Sequence, residues 1–386
     1  MIPYGRQSVS EQDIAQVVEV LRSDFLTQGP VVSAFEQAVA QYCGSGHAVA
    51  VNSGTSALHI ACLALGLGEG DWLWTSPISF VASSNCALYC GAQVDFVDID
   101  VATGNMDIDL LAEKLEKAAS EGRLPKIIVP VHFAGQPCDM DRLDQLRQRW
   151  GFRVIEDACH ASGAAFQNTP VGRGQYSDVT VFSFHPVKIT TSGEGGMAIC
   201  NDASLATKMR QLASHGITRD SSLFQSRDQG AWFYEQQHLG FNYRMSDIHA
   251  ALGLSQWARV DEFVANRNRL ACIYDQAFAN SPVCPLVQRA GRKNSYHLYV
   301  IKLRETCSQS RKAVFEKLRL AGIGVNVHYI PIHMQPYYQR LGFETMHFLN
   351  AESFYQQAIT LPLYATLSDD QQQQVIEQVL KIVCPA

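Results

Sequence analysis

No C-x-x-C pair occurs among the 11 cysteines of this 386-residue chain. Neither a zinc ribbon nor a dithiol redox motif is therefore supported, and the scatter fits reduced, mostly buried cysteines in a cytosolic protein. There is no H-E-x-x-H. His328 and His333 flank Pro331 and read as pocket or core residues, so no metal is expected. Positive charge is short: Lys plus Arg total 31 against 37 Asp plus Glu, a formal charge of −6. Such a chain offers no global field for nucleic acid or an anionic membrane, so an anionic ligand needs a local site. No apolar run approaches the roughly 18 residues of a membrane helix. The opening MIPYGRQSVSEQDI lacks a basic flank followed by an apolar stretch, so no secretory leader is expected. Internal repeats and low-complexity tracts are also missing. With 47% hydrophobic and 18% charged residues the chain is globular, able to bury a core without staples, and is expected to be cytoplasmic.

What the chain does have is alternation. An amphipathic helix is predicted over 10–23, with Ser10 as cap and Asp13 three residues on, and a second over 33–42 after the Gly-Pro loop 24–32. Strands are then predicted at 47–52, 71–75, 93–98, 126–133, 153–158, 179–185 and 196–201, with helices between most of them. Strands alternating with helices argue for a mostly parallel sheet covered on both faces, and KIIVPV reads as a doubly buried strand. Past about residue 245 the texture changes to a long helical stretch over 246–280, strands at 295–303 and 324–329, and helices at 310–322 and 368–383. This reads as a smaller α+β domain. The polar, aromatic segment 216–240 between the two reads as a functional or mobile loop.

The chemistry-bearing motifs fall at strand ends, where ligands of such sheets bind. Asn52-Ser53-Gly54-Thr55-Ser56 opens a helix, and its free amides make an anion site suited to phosphate, although an ordinary capped helix looks the same. Asp157 ends a buried strand, where a carboxylate can hold a protonated ring nitrogen or simply cap a turn. Lys188 lies past a strand end among Phe182, Phe184 and the Gly193–Gly196 turn. Partial burial there lowers a lysine pKa and makes the amine a nucleophile toward carbonyls, where a surface lysine would only snorkel. Ser246 is a plausible helix cap after GFNYRM. A phosphate cradle, a buried acid and a nucleophilic lysine are the parts of a pyridoxal-phosphate enzyme.

The ordered motifs IPYG, LTQGP, NSGTSAL, PISFVASSN, EDACHASGA, FSFHPVK, GEGG, GFNYRMSDIHAALGLSQ and VHYIPIH resemble the DegT/StrS sugar aminotransferases over nearly the whole chain. The resemblance implies the aspartate-aminotransferase fold, with residues 1–245 as a large cofactor-binding domain including the N-terminal arm and 246–386 as a small domain. It implies that Lys188 binds the cofactor covalently, that Asp157 partners the ring nitrogen, and that His160 lies near the ring oxygen. Phe80 matches the aromatic that stacks on the ring, and Gly54, Thr55, Ser56 and Ser183 match the phosphate site. Asn242 matches a residue reaching the phosphate from a neighbouring subunit, which implies a homodimer with shared sites. Tyr4, Leu26, Thr27, Val327, His328, Tyr329 and Ile330 match stretches lining the sugar-nucleotide pocket. The stretches TSPISFVA, FSFHPVK and VHYIPI are most similar to the branch that transfers an amino group from L-glutamate to C4 of a UDP-linked 4-keto-6-deoxy-N-acetylhexosamine in pseudaminic acid synthesis. The family's dehydratase branch has histidine where Lys188 stands.

Other readings are open. Relatives acting on TDP-3- or 4-keto-6-deoxyhexoses, or on UDP-4-keto-pentose, would share these motifs. The run Gly66–Asp71 looks like a dinucleotide fingerprint but follows a helix and precedes a strand, the wrong context. A non-catalytic sensor on the same fold would be expected to lose Lys188 or Asp157.

Overall fold

The computed structural model describes residues 1–227 and 229–384. Its centre is a seven-stranded sheet formed by β1 (His47–Val51), β2 (Trp72–Thr75), β3 (Gln93–Phe96), β4 (Ile127–Val129), β5 (Arg153–Asp157), β6 (Val179–Ser183) and β7 (Gly196–Cys200). The order is β1-β7-β6-β5-β4-β2-β3. β2 runs parallel to β3 and β4, β4 to β5, and β5 to β6, whereas β7 is antiparallel to both of its neighbours. The expected α/β architecture with a mostly parallel sheet is therefore present, with one reversed strand. Helices α1 (Glu11–Leu21), α2 (Pro30–Cys43), α3 (Gly54–Ala64), α4 (Ala82–Tyr89), α5 (Ile108–Glu121), α6 (Met140–Trp150) and α7 (Ala203–Ala213) accompany it. Both faces are covered, so the strands bury nearly every residue, as doubly packed strands must.

The local rules hold at the helix ends. Ser10 and Asp13 form a reciprocal capping box, and Ser368 with Gln371 forms another. The second helix starts at Pro30 rather than at residue 33, because proline at the first helical position gives up no needed donor. Its cap residue, Gly29, has no side chain to offer. Asp247 supplies the acceptor instead, taking hydrogen bonds from Gly29 N at 2.8 Å and Val31 N at 2.9 Å.

Three expected elements differ. The strand expected over 126–133 stops at Val129, since Pro130 has no N–H to donate, and a 3₁₀ turn follows at Phe133–Gly135. The helical stretch 246–280 is two helices, α8 (Asp247–Trp257) and α9 (Val260–Phe278). They break at Arg259, whose guanidinium turns to the buried Asp13 carboxylate at 2.6 Å. The strand expected over 324–329 is not formed: Asn326 makes a single bridge to Thr360 and the rest is irregular. A smaller antiparallel sheet joins β8 (Val283–Pro285), β9 (Tyr299–Leu303) and β10 (Ala358–Leu361), packed with α10 (Arg311–Leu320) and the final helix α11 (Asp369–Val383) around a second apolar core. No described helix is long and apolar enough to cross a membrane. No metal-binding cluster of His, Cys, Asp or Glu occurs among the described residues.

Candidate active site

Three strand ends converge. β6 ends at Ser183, and the chain leaves for a twelve-residue excursion, 184–195, before returning as β7. Its ends are pinned, because Phe184 N donates to Gly195 O at 2.9 Å and Ser192 N to Phe184 O at 2.9 Å. Phe184 packs on Phe35 with ring centroids 5.0 Å apart. Lys188 lies on this anchored loop, half-buried, with no hydrogen bond or ion pair to its ammonium among the described residues. Burial lowers its pKa from the ordinary lysine value, with Cys159 and Asp157 opposing the shift.

Asp157 ends β5 and is buried. Ser83 donates to its Oδ2 at 2.6 Å and the Cys159 amide to its Oδ1 at 3.2 Å. Ser79 Oγ lies 2.6 Å from Ser83 Oγ, so a hydroxyl chain ends on the carboxylate and fixes its plane. Each oxygen keeps a lone pair for a further donor, such as a protonated ring nitrogen. The neighbouring Glu156 points to the other face of the sheet, as strand alternation requires, and is taken up by His132 Nε2 at 2.8 Å.

The anion cradle is the start of α3. Ser53 caps the helix, accepting from Ser56 N at 3.1 Å, and Ser56 Oγ donates to Asn52 Oδ1 at 2.6 Å. The amides of Gly54 and Thr55 and the hydroxyls of Thr55 and Ser183 have no partner among the described residues. A Cβ on Gly54 would lie 3.0 Å from Ser183 Cβ, and one on Gly196 would lie 2.3 Å from Ser53 O. Both glycines therefore let this helix start press against the strand ends. Free amides at a helix N-terminus beside two free hydroxyls suit a phosphate.

His160 closes the site. Its Nε2 lies 3.1 Å from the Tyr329 hydroxyl, and its Nδ1 is buried without a partner. Burial, then Lys188 and His328, push its pKa well down, so the ring is neutral. Burial pushes the Tyr329 hydroxyl pKa up. Phe80 is 59% exposed and 6.4 Å from the Tyr329 ring, leaving its face free. His328 is buried, with Nδ1 2.8 Å from Thr360 Oγ1 and its ring 5.6 Å from Tyr4. Burial, helped by Lys188, lowers its pKa to about 3. Val327 is half-buried and Ile330 exposed on the same segment.

Leu26, Thr27 and Asn242 make their contacts with other segments. All are exposed. Thr27 bridges Ser246, Leu26 O accepts from Asp247 N at 3.0 Å, and Asn242 bridges Ser214. None shares a hydrogen bond or ring contact with Lys188, Asp157 or His160 among the described residues. Sequence reasoning did not single out Ser83, Cys159 or His297. PISFVASSN contains Ser83 four residues after Ser79, a one-turn spacing that carried the signal for the hydroxyl chain.

The donor set fits pyridoxal phosphate: a free amine, a carboxylate with lone pairs to spare, an anion cradle and an open aromatic face. The model for the DegT/DnrJ/EryC1/StrS aminotransferase family matches residues 7–380. The chain belongs to this family and is a pyridoxal-phosphate-dependent sugar aminotransferase. It is 39% identical to the spore coat polysaccharide biosynthesis protein SpsC of Bacillus subtilis, over 99% of this chain and 97% of that one. It is 36% identical to the UDP-4-amino-4,6-dideoxy-N-acetyl-beta-L-altrosamine transaminase of Campylobacter jejuni, over 95% and 94%. Among solved structures, Helicobacter pylori PseC, an aminotransferase involved in pseudaminic acid biosynthesis, superposes with a TM-score of 0.91 at 33% identity, covering 99% of each chain. The pyridoxal-phosphate form of the putative sugar aminotransferase Spr1654 of Streptococcus pneumoniae gives 0.89 at 31%, covering 99% and 98%.

Proposed function

We propose that this enzyme moves an amino group from L-glutamate to C4 of a UDP-linked 4-keto-6-deoxy-N-acetylhexosamine. The carrying observation is the unpartnered Lys188 amine, with its lowered pKa, close enough to the Asp157 carboxylate to feel its charge. The nucleotide sugar is supported by the C. jejuni transaminase and the PseC likeness. Pyridoxal phosphate, when bound, supplies a carbonyl carbon that takes up and returns the amino group, and a ring that accepts electrons.

The chain's own groups do the rest. The Gly54 and Thr55 amides, with the Thr55 and Ser183 hydroxyls, would hold the phosphate, while the Ser56 hydroxyl, donated to Asn52 Oδ1, braces the turn. Asp157 keeps a proton on the ring nitrogen, Phe80 covers one ring face and His160 sets the ring oxygen. The Lys188 amine would carry the proton off the α-carbon of glutamate and later deliver one to C4 of the sugar. Overall, glutamate leaves as 2-oxoglutarate and the ketone becomes an amine. Tyr4, Leu26, Thr27 and residues 327–330 line the acceptor pocket, and Asn242 reaches the cofactor phosphate from a second copy. Residues 1–245, with α8 packed on α1 and α2, form the cofactor domain and the chain after α8 the small domain of a cytoplasmic homodimer. The exposure of Asn242 in a single chain supports that assembly.

The absorption spectrum of the purified protein, read before and after L-glutamate with Lys188→Ala in parallel, tests the first half. A visible band that glutamate bleaches with release of 2-oxoglutarate, lost in the variant, is the expected result. Acceptor preference among UDP- and TDP-4-keto sugars tests the second. The 39% identity to SpsC favours a second reading, the same transfer onto another nucleotide sugar, and turnover of a TDP-sugar alone would select it.

A further inference from the structure

The residues assigned above leave one buried side chain beside the site unused. The His297 ring centroid lies 4.4 Å from that of His160, inclined at 48°. His297 is 4% exposed and its Nδ1 is buried without a partner, as is the Nδ1 of His160. Its Nε2 also has no hydrogen bond among the described residues. An apolar ring would fill this space without the cost of unmet polar atoms. Two adjacent imidazoles with spare nitrogens mark a place where hydrogen bonds form once a ligand is in.

The backbone is built to hold His297 there. Segment 294–298 is irregular and mostly buried, and several hydrogen bonds hold its main chain. Ser295 Oγ donates to the His160 carbonyl at 2.8 Å, which ties the two rings' main chains together. Leu298 N donates to Ala134 O at 3.3 Å, and Tyr296 N to Asn294 Oδ1 at 2.7 Å. The buried Arg267 guanidinium donates to the carbonyls of Tyr296, His297 and Leu363 at 3.2, 3.3 and 3.0 Å. Gly135 allows this segment in, since a Cβ there would lie 2.5 Å from Ser295 Oγ. Burial, then His160, Lys188, Arg267 and His328, all oppose a charge on His297. A neutral imidazole offers one donor and one acceptor, which lets it brace a neighbouring neutral imidazole.

We propose that His297 is a positioning residue of the cofactor site, acting through the nitrogens of its imidazole to set the orientation of His160. The proposal rests on the reading of His160 as facing the cofactor and is independent of which sugar is aminated. The test uses the full-length protein with no acceptor present. His297→Phe keeps a ring and removes the nitrogens, and His297→Asn restores a hydrogen-bonding group. Three quantities are read: pyridoxal-phosphate affinity by spectral titration, kcat and KM of the glutamate half-reaction, and the melting temperature of the cofactor-free protein. His297→Phe is expected to weaken cofactor binding and lower kcat, each by about tenfold, with KM changed less than about threefold and an unchanged melting temperature. His297→Asn is expected to recover part of both losses. Parent-like affinity and kcat in His297→Phe would overturn the proposal, and so would losses that follow a fall in melting temperature in both variants. Failure of the unaltered chain to take up the cofactor would strike the reading of the site, which separates the two failures.

Discussion

Lys188 shows how function and stability oppose each other at one residue. Its folded pKa is lowered, so between that value and the unfolded lysine value the unfolded state binds more protons. The stability of the cofactor-free protein therefore rises with pH across that window, and the burden of the buried ammonium is largest below it. Lys188→Met removes that burden. The cofactor-free variant is expected to melt about 1–3 °C higher than the parent at pH 7 and to lose the pH-dependent increment at alkaline pH, as scanning calorimetry would show. An unchanged melting curve would mean the ammonium is well solvated. At Asp157, the partner of Lys188 across the site, replacement by Asn keeps the shape but donates an N–H toward a ring nitrogen. The rate of 2-oxoglutarate release from glutamate is expected to fall about 10²-fold or more, with the protein still folded. Both residues could be singled out from sequence because each ends or closely follows a buried apolar strand.

Among the elements, α2 and α1 depend on acids and bases distant in the chain. Asp247 is fully buried and caps α2 across 218 positions. Asp247→Ala leaves the amides of Gly29 and Val31 without an acceptor and should cost about 1–3 kcal/mol, measured as a lower urea midpoint with unchanged slope. Asp13 is the second case. Burial alone would raise its pKa, but hydrogen bonds from Ser255, Ser10 and Gln256 outweigh it and the net shift is down. A lowered acid stabilises the fold above the unfolded value of 3.8, and that contribution fades as pH falls through the folded value. Asp13→Asn is expected to destabilise the protein at pH 7 and to flatten its acid unfolding below about pH 4. Helix starts were readable because capping follows local chemistry, as at Ser10 and Ser246. The break at Arg259 was not, because its cause is Asp13, 246 positions away.

On the scale of the molecule, the proposed homodimer places Asn242 of one chain at the phosphate cradle of the other. The prediction is a complementation. Lys188→Ala and Asn242→Ala each inactivate the enzyme alone. A random mixture of the two chains is expected to regain roughly a quarter of parental activity, because half of the dimers are hybrids with one intact site each. No regain after unfolding and reassembly would place Asn242 in its own subunit's site. The parallel sheet, the strand-end motifs and the cofactor class could be read from residue order, because strand and helix periods, caps and glycine turns are set by neighbours within a few positions. Decided only in three dimensions were the reversal of β7, the loss of the strand at 324–329, the hydroxyl chain on Asp157 and the meeting of His160 with His297 and Tyr329. Each depends on groups tens to hundreds of positions apart, where hydrogen bonding and burial outweigh local propensity.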